Sequence, residues 1–344
     1  MSETGGTAPG TTTSGDGTAG ATGTGEALAT AGRDAGGSSP PRRRRGTRSS
    51  RTAPWLFLAP ALALFGAFLL VPILYAVWLS LRSQQRAGGG IVAQVDVVFV
   101  GVENYARAVT DPALYDSLGR MLLYGLMVVP TMLGLALVFA LLLDLPRVRL
   151  RSATRIAIFL PYAVPGVIAS LLWGFLYLPR VSPVRETFLA VGLPAPDFFT
   201  STSVFFSVAN IAVWGGVGFN MIILYTSLRS VPAELYDSAR VDGCTEWQVA
   251  TRIKLPLLAP ALVMTGVFSM IATLQVFNEP QTLSPLTNVI SSDWMPLQKI
   301  YTDAFVRNDI YTAAATSVLL ALVTLVLSLL TLTFLQRRAF GDDA

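Results

Sequence analysis

Six long apolar stretches restrict the folds that this sequence can adopt. A helix of about 20 apolar residues crosses a hydrocarbon core about 30 Å thick, and each stretch is close to that length or longer. They lie at about 54–81, 118–143, 156–178, 203–228, 259–277 and 312–335. Of 344 residues, 52% are hydrophobic and only 13% are charged, which is too apolar for an ordinary soluble domain. We predict an all-α, polytopic integral membrane protein with six transmembrane helices, kinked where prolines such as Pro161 and Pro165 interrupt them.

The basic residues between these stretches predict the orientation in the membrane. An even number of spans places both termini on one side, and the flanks on that side carry sixteen Lys and Arg, against eight in the opposite loops. Because cytoplasmic loops carry the excess of Lys and Arg, both termini should be cytoplasmic. A polar segment at 231–260, which separates the fourth and fifth stretches, should then be cytoplasmic too.

The chain divides into a membrane domain and two tails. Residues 1–53 are rich in Gly, Thr and Ser, which predicts a disordered cytoplasmic tail. Its arginine cluster, Arg42–Arg45 with Arg48 and Arg51, should hold the N-terminus inside and attract anionic lipid. A nucleic-acid patch or a signal peptide fits less well, because the apolar run that follows is too long for a signal-peptide core. The membrane domain covers 54–338, with a short cytoplasmic tail at 339–344.

The residue types that the sequence lacks exclude several classes of function. It has no histidine and one cysteine, Cys244, so neither a disulfide nor a thiol-based metal site is expected. Neither of its two lysines, Lys254 and Lys299, belongs to a phosphate-binding loop. No carboxylate lies deep in a predicted span, which argues against a proton or sodium relay. We predict a non-catalytic chain that binds no metal, cofactor or nucleic acid and draws energy from a partner.

Local signals in the polar segment predict two short helices joined by a glycine turn. Pro232 suits the first turn of a helix, and Asp242-Gly243 is a turn signal, with a positive φ expected at Gly243. Thr245 and Gln248 can form a capping box for the second helix, which Pro256 should end.

The polar segment resembles the cytoplasmic motif of permease subunits of ATP-binding-cassette (ABC) importers. That motif reads E-A-A, three residues, G, nine residues, I, one residue, L-P, and this chain keeps its spacing. The matching residues are Asp237, Ser238, Ala239, Gly243, Ile253, Leu255 and Pro256. Asp237 and Ser238 depart from the motif letters, which could alter affinity for the partner. The resemblance runs from about Trp55 to Arg338 and is strongest for the carbohydrate branch, of the maltose and glycerol-phosphate type.

The resemblance implies a type I ABC importer permease fold and a role as a permease subunit of an ATP-driven carbohydrate importer in the bacterial cytoplasmic membrane. Its partners would be a second homologous permease, two ATP-binding subunits that use ATP and Mg²⁺, and an extracytoplasmic solute-binding lipoprotein. The loop at about 230–257, through the seven motif residues, would couple the chain to the ATPases. The alternative is a polytopic scaffold or membrane enzyme whose cytoplasmic loop binds another soluble protein. That alternative does not explain the joint placement of Gly243, Ile253 and Leu255-Pro256.

Polar side chains in the fourth and fifth stretches predict a substrate path. Asn220 and Gln275 lie within apolar runs, with Asn278 and Glu279 at the outer end of the fifth. An amide without a partner in lipid costs several kcal/mol, so these groups should face the bundle interior or a wet cavity. There they could bond sugar hydroxyls, with Trp214 offering an apolar face to the ring. Alternatively, the amides bond only neighbouring helices and Glu279 marks only a helix end.

Overall fold

The computed structural model describes residues 53–87, 94–146 and 148–340. Nearly all of the predicted N-terminal tail, with its arginine cluster, lies outside the described residues, as do residues 341–344. The helices are α1 (Ala53–Phe65), α2 (Val71–Ser80), α3 (Glu103–Thr110), α4 (Pro112–Asp144), α5 (Arg151–Phe159), α6 (Gly166–Tyr177), α7 (Pro183–Ala190), α8 (Ser203–Arg229), α9 (Ala233–Val241), α10 (Glu246–Val249), α11 (Leu255–Leu257), α12 (Ala259–Leu274), α13 (Asn278–Leu283), α14 (Pro296–Tyr301) and α15 (Ile310–Phe340). Wider π turns occur at Gly66–Leu70, Ala250–Lys254 and Thr302–Val306, and 3₁₀ turns at Leu160–Ala163 and Ser284–Leu286.

Five helical segments of the described chain are long and apolar enough to cross a membrane. They are Trp55–Ser80, Pro112–Asp144, Ser203–Arg229, Ala259–Leu286 and Ile310–Thr333. These segments confirm the predicted all-α membrane domain and agree with five of the six predicted spans.

The sequence suggested that the third span is one continuous helix with a kink, but the structure breaks it. It consists of two helical pieces, Arg151–Ala163 and Gly166–Tyr177, bent by 96° at the break between them, so the count of six holds if this pair is one span. Val164, in the break, is extended. The residue before a proline is disfavoured from helical geometry, so Pro165 forces Val164 out of the helix and starts a new one.

A two-stranded hairpin is the part of the fold that the all-α prediction missed. β1 (Arg82–Ala87) pairs antiparallel with β2 (Gln94–Phe99), in a register that runs from Arg82 opposite Phe99 to Ala87 opposite Gln94. The β2 segment is rich in valine and ends in phenylalanine, residue types that favour strands.

Helices α4 and α8 pack side by side at the centre of the bundle. One buried cluster joins Tyr124 and Val128 of α4 to Val208 of α8, and a second joins Ala140 of α4 to Leu224 of α8. On another face of α8, a Cβ at Gly218 would collide with the backbone of α5 at Ile158 and Phe159. That glycine therefore permits the close approach of the two helices.

Candidate functional site

The polar helical element, which we define as residues 233–257, begins with α9 and turns sharply at a glycine. Gly243 has φ of +81°, as predicted. Its amide donates to the Arg240 carbonyl, and the Cys244 amide donates to the Ala239 carbonyl, both at 3.0 Å. These two bonds form a Schellman motif, in which a glycine in left-handed geometry closes the helix end.

The second half of the element starts at the predicted capping box. The Gln248 amide donates to Thr245 Oγ1 at 3.3 Å, and the Thr245 amide donates to Gln248 Oε1 at 2.8 Å. Pro232 precedes the first helix as its N-cap residue instead of occupying its first turn.

Pro256 does not end the second helix, contrary to the prediction. The chain stays helical from α10 through the π turn at Ala250–Lys254 into α11. In that turn the Leu255 amide bonds to the Ala250 carbonyl, five residues back. The wider turn, immediately before the proline, provides room where the proline ring would otherwise clash with the carbonyl four residues earlier.

The surface of the element combines charges with uncovered apolar side chains. Of the motif residues, Asp237, Ser238, Gly243, Leu255 and Pro256 are exposed, Ile253 is half-buried and Ala239 is buried. The Arg240 guanidinium lies 3.1 Å from Asp237 and 3.5 Å from Glu246, so it bridges the two helices across the turn. Five large apolar side chains of the same element are exposed: Leu235, Val241 (87% exposed), Trp247 (76% exposed), Leu255 and Leu257.

A buried ion pair fastens this element to the end of α4. Lys254 Nζ donates to Asp144 Oδ2 at 2.5 Å, and both side chains are about 5% exposed. Arg229 Nη1 lies 4.0 Å from the same carboxylate, and Lys254 Nζ sits 5.0 Å from the centre of the Tyr236 ring. Burial, together with the Asp144 charge, raises the pKa of the Tyr236 hydroxyl. Sequence reasoning missed this pair, although a lysine between Ile253 and Leu255 was a signal.

The other lysine performs the same task at the opposite end of α4. Lys299 Nζ lies 2.6 Å from Asp111 and 2.8 Å from Asp303, and Arg307 Nη1 contacts Asp303 at 2.5 Å. Burial raises the pKa of Asp111, but hydrogen bonds from Lys299 and the Ala113 amide outweigh it, so the pKa lies below its usual value. Burial likewise lowers the pKa of Lys299, but hydrogen bonds to the two aspartates outweigh it and raise the pKa.

A cavity of about 660 Å³ lies between the spans. Its walls come from α4, the break between α5 and α6, α8, α12 and the segment around the start of α13. Asn220, Gln275, Asn278 and Glu279, four of the five residues predicted for the substrate path, line it. The sequence identified these side chains span by span, and the structure places them in one cavity.

Trp214 is not among the residues that line the cavity. Its ring packs edge-on against Trp173, with 5.8 Å between the ring centres. Apolar ring faces in the cavity come instead from Tyr162 and Phe219, which stack with 4.8 Å between centres and 17° between planes. Tyr162 is 49% exposed, so part of its ring is free for contact. Sequence reasoning missed these rings because only the break in the third span brings Tyr162 to the cavity.

The amides in the cavity differ in their bonding. Asn220 is 3% exposed, donates from Nδ2 to the Gly216 carbonyl at 3.0 Å and accepts from Ser269 Oγ at 3.1 Å. The structure thus gives Asn220 the helix-bonding role that was the alternative interpretation. Gln275 and Asn278 are exposed, and within the described ranges neither side chain has a hydrogen-bond partner.

Among the residues that the structure describes, no cluster of three or more His, Cys, Asp or Glu side chains could hold a metal ion.

The comparisons with known proteins agree with this arrangement. The family described as "binding-protein-dependent transport system inner membrane component" matches residues 112–340. The lactose transport system permease protein LacF of Rhizobium radiobacter is 31% identical, over 80% of this chain and 91% of its own. The diacetylchitobiose uptake system permease protein NgcF of Streptomyces coelicolor is 29% identical, over 88% of this chain and 86% of its own.

A solved structure confirms the predicted type I ABC importer permease fold. It is a bacterial ABC transporter involved in the import of the acidic polysaccharide alginate, and it matches with a TM-score of 0.71 at 22% identity. The match covers 83% of this chain and 95% of the other. Fold, sequence and apolar spans therefore agree that this chain belongs to the multi-pass inner membrane components of binding-protein-dependent transport systems.

Proposed function

We propose that this chain is the transmembrane permease subunit of an ATP-driven importer for a carbohydrate, and that it forms half of the translocation path. The cavity is the observation that carries the proposal. It is large enough for a sugar of one to two rings, since small-molecule sites span about 300–1,000 Å³. Gln275 and Asn278 offer free amides to hydroxyl groups, and Tyr162 with Phe219 offers apolar faces. The names of LacF and NgcF, which handle sugars, point the same way.

A second homologous permease would complete the path. This chain closes the cavity only in part, because lining residues such as Tyr162 and Phe268 remain about half exposed. A solute-binding protein would deliver the sugar, as the description of the family implies. We place both termini and the polar helical element in the cytoplasm on the strength of the loop charges.

The polar helical element would dock on one of the two ATP-binding subunits. Its uncovered Val241 and Trp247 are apolar anchors of the kind that partner pockets bury. Movement of the docked element would pass to α4 through the Lys254–Asp144 pair, and the spans would turn from inward-facing to outward-facing when ATP binds. ATP and Mg²⁺ belong to the partners, and this chain would hydrolyse nothing.

An uptake assay tests the proposal. The gene is deleted, and cells receive labelled lactose, maltose and diacetylchitobiose before and after the wild-type gene is restored. We expect uptake of at least one sugar to be lost and then recovered, and to stop when ATP is depleted. If no carbohydrate shows chain-dependent uptake across a wider panel, the proposal is wrong, and a scaffold role for the polar element takes its place.

A further inference from the structure

The residues that line the cavity carry one acidic side chain and no basic one. Glu279 is the acid, and within the described part of the chain neither lysine nor arginine reaches the cavity wall. The remaining polar groups are amides, hydroxyls and backbone. A ligand that enters this half of the path therefore meets a carboxylate and no compensating cation.

Glu279 differs from the buried acids elsewhere in the bundle. Asp144 and Asp303 each have a cation within 3 Å. Glu279 is half-buried and has no ion-pair partner among the described residues. A carboxylate left unpaired in a cavity is costly unless water or a ligand solvates it, so its position is informative.

Two helix starts in the cavity wall would favour an anion. Gly166 is the first residue of α6 and Asn278 is the first residue of α13, and the start of a helix carries about half a positive charge at most. Helix α13 has only six residues, so its partial charge is smaller, and water in the cavity screens both. The full charge of the Glu279 carboxylate therefore remains the largest single charge at the Gln275 to Glu279 wall, and it is negative.

We propose that this half of the path admits uncharged or cationic sugars and rejects anionic ones, and that Glu279 sets this selectivity. The inference rests on the proposed function and narrows its substrate class. An anionic sugar that loses its water needs cations or several donors in return, as Arg and Lys provide for carboxylates and phosphates. Lactose and diacetylchitobiose, in the names of two relatives, are uncharged, whereas alginate is acidic. The shared fold therefore does not determine the charge of the substrate, whereas the side chains of the cavity wall do.

The test measures the field inside the cavity without requiring transport. A cysteine replaces the exposed Gln275 in the complete purified complex, and its reaction is followed with two methanethiosulfonates of similar size, one cationic and one anionic. Mass spectrometry of the peptide that contains residue 275 separates this reaction from that of Cys244. The same two reagents with 2-mercaptoethanol, a neutral thiol, give the intrinsic ratio of rates.

We expect the ratio of the cationic to the anionic rate at residue 275 to exceed the intrinsic ratio about tenfold. One nearby negative charge has an effect of about this size at an effective dielectric constant between those of protein and water. Adding Glu279→Gln should return the ratio to the intrinsic value. Adding Glu186→Gln, a matched change at an exposed acid of α7 outside the cavity, should leave the ratio high. Asn278→Cys serves as a second reporter if the first variant fails to assemble.

Two labelling results would overturn the inference: a ratio at or below the intrinsic value, or a high ratio that Glu279→Gln does not change. Chain-dependent uptake of an alginate oligosaccharide would also overturn it while leaving the carbohydrate importer intact. Conversely, an uptake assay that finds no sugar removes the proposed function, and the labelling ratio still reports whether the cavity repels anions.

Discussion

The polar helical element and the central cavity are built in opposite ways. The element is local: twenty-five consecutive residues, 233–257, contain its glycine turn, its capping box and its exposed apolar side chains. The cavity is assembled from four parts of the chain that are distant in sequence: α4, the break between α5 and α6, α8, and the continuous stretch from α12 into α13. The difference teaches that a docking surface can be encoded by a short motif, whereas a passage depends on how whole helices pack.

The two regions also use charge differently. Where the element meets α4, Lys254 and Asp144 are both buried and paired, and at the other end of α4 the buried Lys299 pairs with the partly exposed Asp111. In the cavity, Glu279 has no such partner in the described chain. We infer that the paired charges fix the ends of one long helix, while the unpaired charge is available to a ligand.

Replacing Gly243 should break the element with the largest effect. No neighbouring atom lies within 4 Å of the position of an added Cβ, so the damage would come from the backbone alone. At φ of +81° a valine is strained by about 1–3 kcal/mol and would re-aim the second helix. Gly243→Val should abolish sugar uptake and co-purification of the ATPase without loss of the chain from the membrane. Gly243→Asn, which tolerates this geometry, should keep most of both. Normal transport by the valine variant would contradict the docking role.

Breaking the Lys254–Asp144 pair tests whether the element is tied to α4. Removing one partner of a buried pair costs about 3–5 kcal/mol, because the other charge stays buried. Asp144→Leu should lower the Tm of the purified complex more than Lys254→Met does, because Arg229 remains near Asp144 in the second case. The double variant should recover most of the loss. A double variant as unstable as the two losses added together would show that the residues act independently.

The cavity amides should separate into a structural and a functional class. Asn220→Leu leaves Ser269 Oγ without its acceptor and should lower the Tm by the equivalent of about 1 kcal/mol. Gln275→Leu should leave the Tm unchanged and raise the KM of uptake several-fold, because its amide is free to bind substrate. Wild-type uptake kinetics in the Gln275 variant would move the path to the partner permease.

The smallest effect concerns pH and the Lys299 cluster. The lowered pKa of Asp111 gives stability above its usual value of 3.8, and this is lost as pH falls through the lower folded value. The raised pKa of Lys299 gives stability below 10.5, which is lost as pH rises through the higher folded value. The Tm difference between wild type and Lys299→Gln should therefore be largest near neutral pH and shrink in strong acid or base. A Tm difference that does not change with pH would show that the charge of Lys299 contributes nothing to the stability of the cluster.

The two regions also show what the sequence could predict. Turn and capping signals act over a few residues, so the geometry at Gly243 and Thr245 followed from the sequence alone. Apolar length located the spans for the same reason. The 96° bend did not follow, because whether Pro165 kinks or breaks a span depends on the neighbours that take up the freed backbone groups. The pairing of Lys254 with Asp144 crosses 110 residues, which no local signal encodes.

The central claim is that ATP binding to the partner ATPases, transmitted through the docked polar helical element, changes access to the cavity. The direct measurement is the rate at which an impermeant thiol reagent, applied from outside, reacts with Gln275→Cys in right-side-out vesicles that contain the whole complex. We predict that ATP inside the vesicles raises this rate, and that Gly243→Val in the same chain abolishes the rise. Equal rates with and without ATP in the chain that keeps Gly243 would contradict the claim.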